Sequence, residues 1–295
     1  MNDCLIIGGG PAGLTAALYL ARFRLTCAVL DGGHSRAGSI PRCRNFPGFP
    51  AGIPGPRLLS LMTEQLAAYD IAPLRAEASA IEISADGVQV ETGSGIFAAR
   101  TLLLATGTED VRPIFADGAH DAALQAGLLH YCPVCDGYEA SGKHIAVFGT
   151  GAHGAREALF LRSFSDDIDL VSVSGPHAME SGDRKKLQQA CVRLIDGPAS
   201  PLRMEANALH FDVGSLAFRV QSVYAALGCK QRSGLVKSID AEISPEGCVV
   251  VDAHQRTRVK GVYAAGDVVV GLDQISTAIG QAAIAATTIR NDLRS

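Results

Sequence analysis

Two Gly-x-Gly-x-x-Gly segments, each entered from a short apolar run and left through a helical pattern, restrict this chain more than any other feature. The first, Gly8-x-Gly10-x-x-Gly13, follows Cys4-Leu5-Ile6-Ile7. After it Leu14, Ala17, Leu18 and Ala21 recur at helical spacing, and residues 26–31 read as a second buried strand. Strand, glycine turn, helix and strand make a βαβ unit. Its first Gly makes the tight turn, the second lets the backbone approach a pyrophosphate, and the third lets the helix pack on the strand. The intervening Pro11 and Ala12 open the helix, whose N-terminus faces the anion. Asp31 ends the next strand, where a carboxylate accepts hydrogen bonds from a ribose diol.

The same order returns later in the chain. Residues 144–148 read as a strand, Gly149-x-Gly151-x-x-Gly154 as the turn, 155–164 as a helix and 169–174 as the next strand. This second strand ends in Ser174-Gly175-Pro176-His177, with neither an acid for a ribose diol nor an adjacent Arg pair for a 2′-phosphate. Arg184, Lys185 and Lys186 are the nearest cations. Three further segments read as strand ends: 101–107, 223–228 and 261–267. The polar stretches after Gly107 and Gly228 read as linkers. The expected fold is α/β, with two Rossmann-like dinucleotide-binding domains, the second inserted into the first. The expected boundaries are 1–110 with 236–295 for the first domain and 111–235 for the second. Residues 35–56, rich in Pro and Gly, read as a long functional loop.

Composition removes competing classes. Hydrophobic residues make up 47% and charged residues 19%, which excludes a disordered chain. A net charge of −4 gives no basic surface for nucleic acid. No apolar run approaches the length of a membrane span, and the acidic start at Asp3 does not fit a secretory signal. The expectation is a cytoplasmic protein with mostly reduced thiols. Of its 8 Cys, only Cys132 and Cys135 form a close pair.

Cys132-Pro133-Val134-Cys135-Asp136 is the chemical centre of the sequence. Two thiols three residues apart close a disulfide or exchange with another one. Pro133 suits the first turn of a helix, and a helix N-terminus favours the thiolate. Asp136 places a carboxyl group where it can move protons to and from sulfur. His130-x-Cys132-x-x-Cys135 also offers three zinc ligands, but a structural site needs four and no second cluster supplies one. The expectation is therefore no metal. Near the C-terminus, Gly266-Asp267 ends a strand and Gln274-Ile275-Ser276-Thr277-Ala278 opens a small-residue helix.

These motifs together resemble the low-molecular-weight thioredoxin reductase family of flavoproteins. The resemblance rests on G-G-G-P-A-G at the start, R-N-F-P-G-F-P at 44–50 and L-L-L-A-T-G at 102–107. It continues through Y-C-P-V-C-D-G at 131–137 and G-V-Y-A-A-G-D at 261–267, so it covers nearly the whole chain. It implies FAD in the first domain, held by Gly8, Gly10, Pro11, Ala12, Gly13 and Asp31 at its ADP half. Asn45, Gly107, Gly266, Asp267, Gln274 and Ile275 would meet its flavin and ribityl parts. It implies an active Cys132–Cys135 disulfide, with Cys135 the flavin-side thiol, Cys132 the interchange thiol and Asp136 the acid/base. It implies a homodimer, and a nicotinamide site at Gly149, Gly151 and Gly154. The family's usual turn there ends in Ala, followed by an H-R-R-x-x-x-R phosphate site. Here the turn ends in Gly154, the phosphate site is replaced, and Glu157 keeps the place of a family acid. NADPH is thus one donor among several, beside ferredoxin or another flavin. The partner is a thioredoxin-like protein or a small disulfide. The alternatives are a dithiol oxidase passing electrons to O₂ and a slow-turnover flavin redox sensor.

Overall fold

The computed structural model describes residues 1–116 and 118–294. They divide into two compact units. The first holds Met1–Arg42, Phe46–Glu109 and the chain from Lys230 onward, and the second holds Cys43–Asn45 and Asp110–Cys229. The break at 235 expected from sequence thus lies inside the first unit. The 3-10 turn Gly234–Ile239, with Val236 buried, belongs to that unit.

The first unit is built on strand Asn2–Ile7. It pairs in parallel with Cys27–Asp31 on one side and with Gly95–Leu104 on the other. Its side chains alternate between two cores, as a strand buried on both faces requires. Cys4 and Ile6 join Leu14, Ala17, Leu20 and Leu103 on one face. Leu5 and Ile7 join Leu30, Leu102, Leu104 and Val262 on the other. Helix Pro11–Arg22 presents Ala12, Ala16 and Ala17, and the last helix, Ile275–Asp292, presents Ala278, Ala282, Ala285 and Ala286 to the same core. Small side chains on both helices let their backbones approach closely.

Strand Gly95–Leu104 has two partners along one edge. Its first half pairs antiparallel with Gly87–Thr92, which pairs with Ala78–Ser84, and its second half pairs in parallel with Val262–Ala264. The antiparallel extension carries its signal in the alternation of Val88-Gln89-Val90-Glu91, with Val88 and Val90 buried, whereas Ala78–Ser84 is largely exposed. The expected loop 35–56 contains a 3-10 turn, Arg36–Ser39, and reaches helix Gly55–Ala67.

The second unit has a five-stranded parallel sheet in the order Arg193–Ile195, Ile168–Val171, Ile145–Gly149, Ser222–Ala226, Leu129–His130. Its glycine turn leads into helix Gly151–Leu161, four residues earlier than the apolar spacing suggested. Strand Ile168–Val171 ends before Ser172, where the backbone turns away to the positive-φ Gly175. A three-stranded antiparallel sheet, Arg203–Glu205, Ala208–Val213 and Leu216–Val220, packs Leu209 and Phe211 into the core with Val171 and Val223. The two expected linkers are not loops. Thr108–Asp110 and Cys229–Gln231 pair as a two-stranded ribbon where the chain leaves and re-enters the first unit. The Thr106 and Thr108 hydroxyls donate to the Arg232 and Lys230 carbonyls at 2.7 and 3.0 Å.

The end of the last helix is fastened by charge. Arg256 donates from Nε and Nη2 to the two Asp292 oxygens at 2.8 and 2.7 Å, and the buried Tyr263 hydroxyl donates to Oδ2 at 2.7 Å. The Arg256 hydrogen bonds hold the Asp292 carboxyl below the usual carboxylate range, against a smaller opposing effect of burial. A carboxyl with a depressed folded-state pKa contributes stability above its unfolded value, near pH 4, and loses it as pH falls through the folded value. Asp292→Asn should therefore melt a few degrees below the unsubstituted protein at pH 7. The gap should close toward about pH 3, where the wild-type carboxyl also protonates. Thermal unfolding at the two pH values checks this, and an equal gap at both would contradict the charged role of Asp292.

Candidate active site

Cys132 and Cys135 are joined as a disulfide. Cys132 has extended backbone and caps the short helix Pro133–Asp136, with Pro133 buried in its first position. The Cys135 amide donates to the Cys132 carbonyl at 3.0 Å, closing the loop that brings the sulfurs together. The helix is a single turn, followed at once by the 3-10 turn Gly137–Ala140. Its dipole is correspondingly small, so the sequence argument from a helix N-terminus carries less weight here than the groups around Asp136.

Those groups come from two adjacent parallel strands. His130, on Leu129–His130, and Tyr224, on Ser222–Ala226, are register partners, and their rings stack at 4.7 Å with a 16° interplanar angle. The pair faces Asp136. His130 Nδ1 lies 2.5 Å from Asp136 Oδ2, and the Tyr224 hydroxyl donates to Oδ1 at 3.0 Å. His130 Nε2 donates to the Gly127 carbonyl at 3.0 Å. Both rings are buried, at 6% and 1% exposure. Burial first, and the Asp136 charge second, push the Tyr224 hydroxyl well above the usual phenol range, so it stays a donor. Sequence reasoning saw His130 only as a zinc ligand and did not find Tyr224. The i, i+6 spacing of His130 and Asp136 was the available signal, but the strand register that adds Tyr224 is tertiary.

The segment Cys43–Asn45 belongs to this unit. The Asn45 side-chain amide donates to the Val134 carbonyl, between the two cysteines, at 3.4 Å. Arg44 pairs with Glu139 at 3.3 Å, and the Cys43 thiol donates to Asn45 Oδ1 at 3.3 Å. Asn45, expected at a flavin, is thus bonded here to the cysteine turn.

In the first unit the glycine turn is sterically closed to any side chain. A Cβ on Gly8, whose φ is +120°, would stand 2.1 Å from the Ala105 carbonyl oxygen, and one on Gly13 would stand 1.9 Å from the Gly8 oxygen. A Cβ on Gly9 would strike the Asp31 carboxyl group, which leans over the turn and accepts the Gly33 amide at 2.8 Å. Gly10 caps helix Pro11–Arg22, and Ala12 and Gly13 lie in the first turn, whose amides have no intrahelical acceptor. Gly266, at φ +83°, approaches Ala12 closely enough that a Cβ would stand 2.9 Å from it. Asp267 beside it is 3.3 Å from Arg36, which also reaches Asp273 at 3.8 Å. Gln274 caps the last helix, which begins at Ile275. Gly107 has φ +66° and open space around it. The turn, the acid at the strand end and the Gly266–Asp267 corner converge, and together they suit a dinucleotide such as FAD.

The second glycine turn differs. Gly149 and Gly154 are close-approach positions, where a Cβ would meet the Ala226 oxygen at 2.6 Å and the Gly149 carbonyl carbon at 2.9 Å. The positive φ, however, falls at Gly151, whose Cβ position faces the Ala178 carbonyl oxygen at 3.4 Å. Beyond the strand, His177 donates from Nε2 to the Leu170 carbonyl at 2.9 Å and from its amide to Asp196 at 2.8 Å. Arg184 donates to the His177 carbonyl at 3.5 Å, and Lys186 pairs with Asp183 at 3.3 Å. Burial raises the Glu157 carboxyl and lowers the His153 imidazole from their ordinary values. The turn fits a pyrophosphate sterically, and beyond the strand end both Asp196 and Arg184 bond to the backbone of His177.

Among the described residues no helix is long and apolar enough to cross a membrane. The family model for pyridine nucleotide-disulphide oxidoreductases matches residues 2–282. The chain is 33% identical over 286 residues to the bifunctional thioredoxin reductase/thioredoxin of Mycobacterium leprae (strain TN), covering 91% of this chain and 60% of that one. It is 29% identical over 284 residues to the thioredoxin reductase of Streptomyces coelicolor, covering 91% and 86%. The crystal structure of thioredoxin reductase from Streptococcus pyogenes MGAS5005 superposes with a TM-score of 0.91 at 27% identity, covering 100% of this chain and 98% of that one. With its two Rossmann-like units and its Cys132–Cys135 disulfide, the chain belongs to the pyridine nucleotide-disulphide oxidoreductase family, as a thioredoxin reductase-like, FAD-dependent disulfide reductase.

Proposed function

We propose that the chain passes electron pairs between FAD, held by its first unit, and the Cys132–Cys135 pair of its second, and from there to a thioredoxin-like protein or a small disulfide. The observation that carries this reading is the Cys132–Cys135 disulfide itself, closed by a one-turn helix, with a hydrogen-bonded carboxyl group on the residue that follows the second cysteine. When bound, FAD supplies the two-electron carrier. Gly8, Gly10 and Gly13 would leave room for its pyrophosphate, the amides of Ala12 and Gly13 would face that anion, and Asp31 would accept from the ribose diol. Asp267, Gln274 and Ile275 would hold the flavin end. Cys132 acts as the interchange thiol, Cys135 as the flavin-side thiol and Asp136 as acid/base. The working protein is a homodimer.

A second reading concerns the electron donor. The strand end after Val171 carries no Arg pair, and Arg184 is engaged with the His177 carbonyl. This favours weak use of both nicotinamides, a ferredoxin or flavin donor, or the reverse reaction as a dithiol oxidase. Two lost charge-assisted contacts at ~1.5–3 kcal/mol each weaken binding by roughly a hundredfold or more. Anaerobic titration of the purified protein with NADPH and with NADH should give slow flavin bleaching, with little preference between them. Tight, fast and NADPH-selective bleaching would restore an ordinary NADPH-dependent reductase.

Two substitutions test the rest. Asp31→Ala should lower FAD affinity about tenfold or more, since it removes a charged acceptor from the ribose. Ultrafiltration of the protein at graded FAD concentrations measures it, and unchanged retention would remove Asp31 from the site. Cys135→Ser, reduced and mixed with a disulfide reagent, should trap a stable mixed disulfide on Cys132, because the resolving thiol is gone. Cys132→Ser should trap far less. Mass spectrometry reads the adduct, and the reverse pattern would exchange the two roles.

A further inference from the structure

Hydrogen-bond bookkeeping at Asp136 shows where a proton sits. The Gly127 carbonyl can only accept, so His130 Nε2 carries a hydrogen. Nδ1 then faces Asp136 Oδ2 at 2.5 Å. Without a proton between them, two lone pairs would face each other at that distance. One proton therefore lies in this contact, on the carboxyl or on the imidazole. The second carboxyl oxygen is occupied by the Tyr224 hydroxyl, which is held as a donor and does not compete for the proton. Glu139 and Glu157 are the other acids whose charge reaches Tyr224, and Glu139 is paired with Arg44 at 3.3 Å.

We propose that His130 is the proton-holding partner of Asp136, so that the acid/base of the thiol pair is a two-residue unit fixed in place by Tyr224 and the Gly127 carbonyl. The inference rests on the disulfide-exchange reading of Cys132 and Cys135 and adds a positioning residue to it. Its physical reason is simple. A bare carboxylate can only accept, whereas the proton held in the 2.5 Å contact between Asp136 and His130 is available for donation.

The exchange then balances as follows. The Cys132 thiolate forms a bond to one sulfur of a substrate disulfide, whose S–S bond breaks. The electron pair leaves on the second sulfur, which takes the proton from the Asp136–His130 unit. The Cys135 thiol returns a proton to that unit, and its thiolate attacks Cys132 Sγ. The first substrate sulfur is released and takes a proton from water. The cysteines are oxidised by two electrons, the substrate is reduced to two thiols, and the unit again holds one proton, as in the disulfide form seen here.

The test uses the full chain, reduced with dithiothreitol and desalted, so that no electron donor is needed. Two probes are compared by stopped flow: bis(2-hydroxyethyl) disulfide, whose leaving thiol is basic, and 5,5′-dithiobis(2-nitrobenzoate), whose leaving thiol is acidic. A proton donor matters for the first and little for the second. His130→Asn keeps an amide near the carboxyl group but no transferable proton. It should slow the first probe about tenfold or more and the second less than about threefold. Asp136→Asn should show the same split, and the double variant should be no slower than the slower single one, as expected of residues acting as a unit. His130→Gln, with its melting temperature compared with wild type, guards against a folding defect and should show the same split. Equal slowing of both probes, no slowing, or additive losses in the double variant would overturn the proposal. An unsubstituted protein that reacts with neither probe would overturn the exchange reading itself.

Discussion

The first unit depends on one steric constraint, the approach of its helix to its central strand at Gly13. Its backbone carries the Gly8 carbonyl oxygen within a distance that any Cβ would violate, and Gly8 in turn lies against Ala105 at the end of the neighbouring strand. Three chain segments meet there with no side chain between them. The contact sets the first turn of helix Pro11–Arg22 at the C-terminal end of the central strand, and it lets Asp31 lean over Gly9. The free amides of that turn and the position of the Asp31 carboxylate are therefore consequences of packing.

The second unit repeats the constraint with Gly149, Gly154 and Ala226, yet spends its sheet on different chemistry. The strand pair Leu129–His130 and Ser222–Ala226, on the other side of the central strand, supports the cysteine turn. Two buried rings stacked across a strand register make a rigid base, and Asp136 hangs from both. Two of the other thiols, Cys4 and Cys27, are unlike this pair. Burial pushes Cys4 up to about 12 and Cys27 up to about 11, which keeps them protonated and unreactive.

The sequence made legible whatever depends on local spacing. The first glycine turn, the apolar run Cys4 to Ile7 and the Cys132–Cys135 pair follow rules of a few residues' range and lie where expected, while the second glycine turn is taken into its helix from Gly151. What escaped depends on register or on distant partners. The polar stretches after Gly107 and Gly228 carry no apolar alternation, because their ribbon is held by threonine hydroxyls and backbone groups rather than by a buried face. In the antiparallel sheets the strands Ala78–Ser84 and Leu216–Val220 are mostly exposed, while Gly87–Thr92 and Ala208–Val213 carry an apolar alternation that sequence reading overlooked. Asn45 escaped because only the folded chain shows that residues 43–45 pack with the cysteine unit.

The His130–Asp136 contact shows why a motif read from sequence gives the electron path before it gives the proton path. Two cysteines three apart define where an electron pair enters and leaves, since a disulfide needs only two sulfurs within reach. Moving that pair also moves protons, and a proton needs a holder whose state is set by everything that donates to it. Here that holder is fixed by a carbonyl at Gly127, a phenol at Tyr224 and a parallel-strand register between positions 130 and 224. None of these is within the cysteine motif. A thiol pair of identical sequence on a different sheet edge would carry the same electrons with a different proton inventory. Its preference for acidic or basic leaving thiols would then differ, although its cysteines would not.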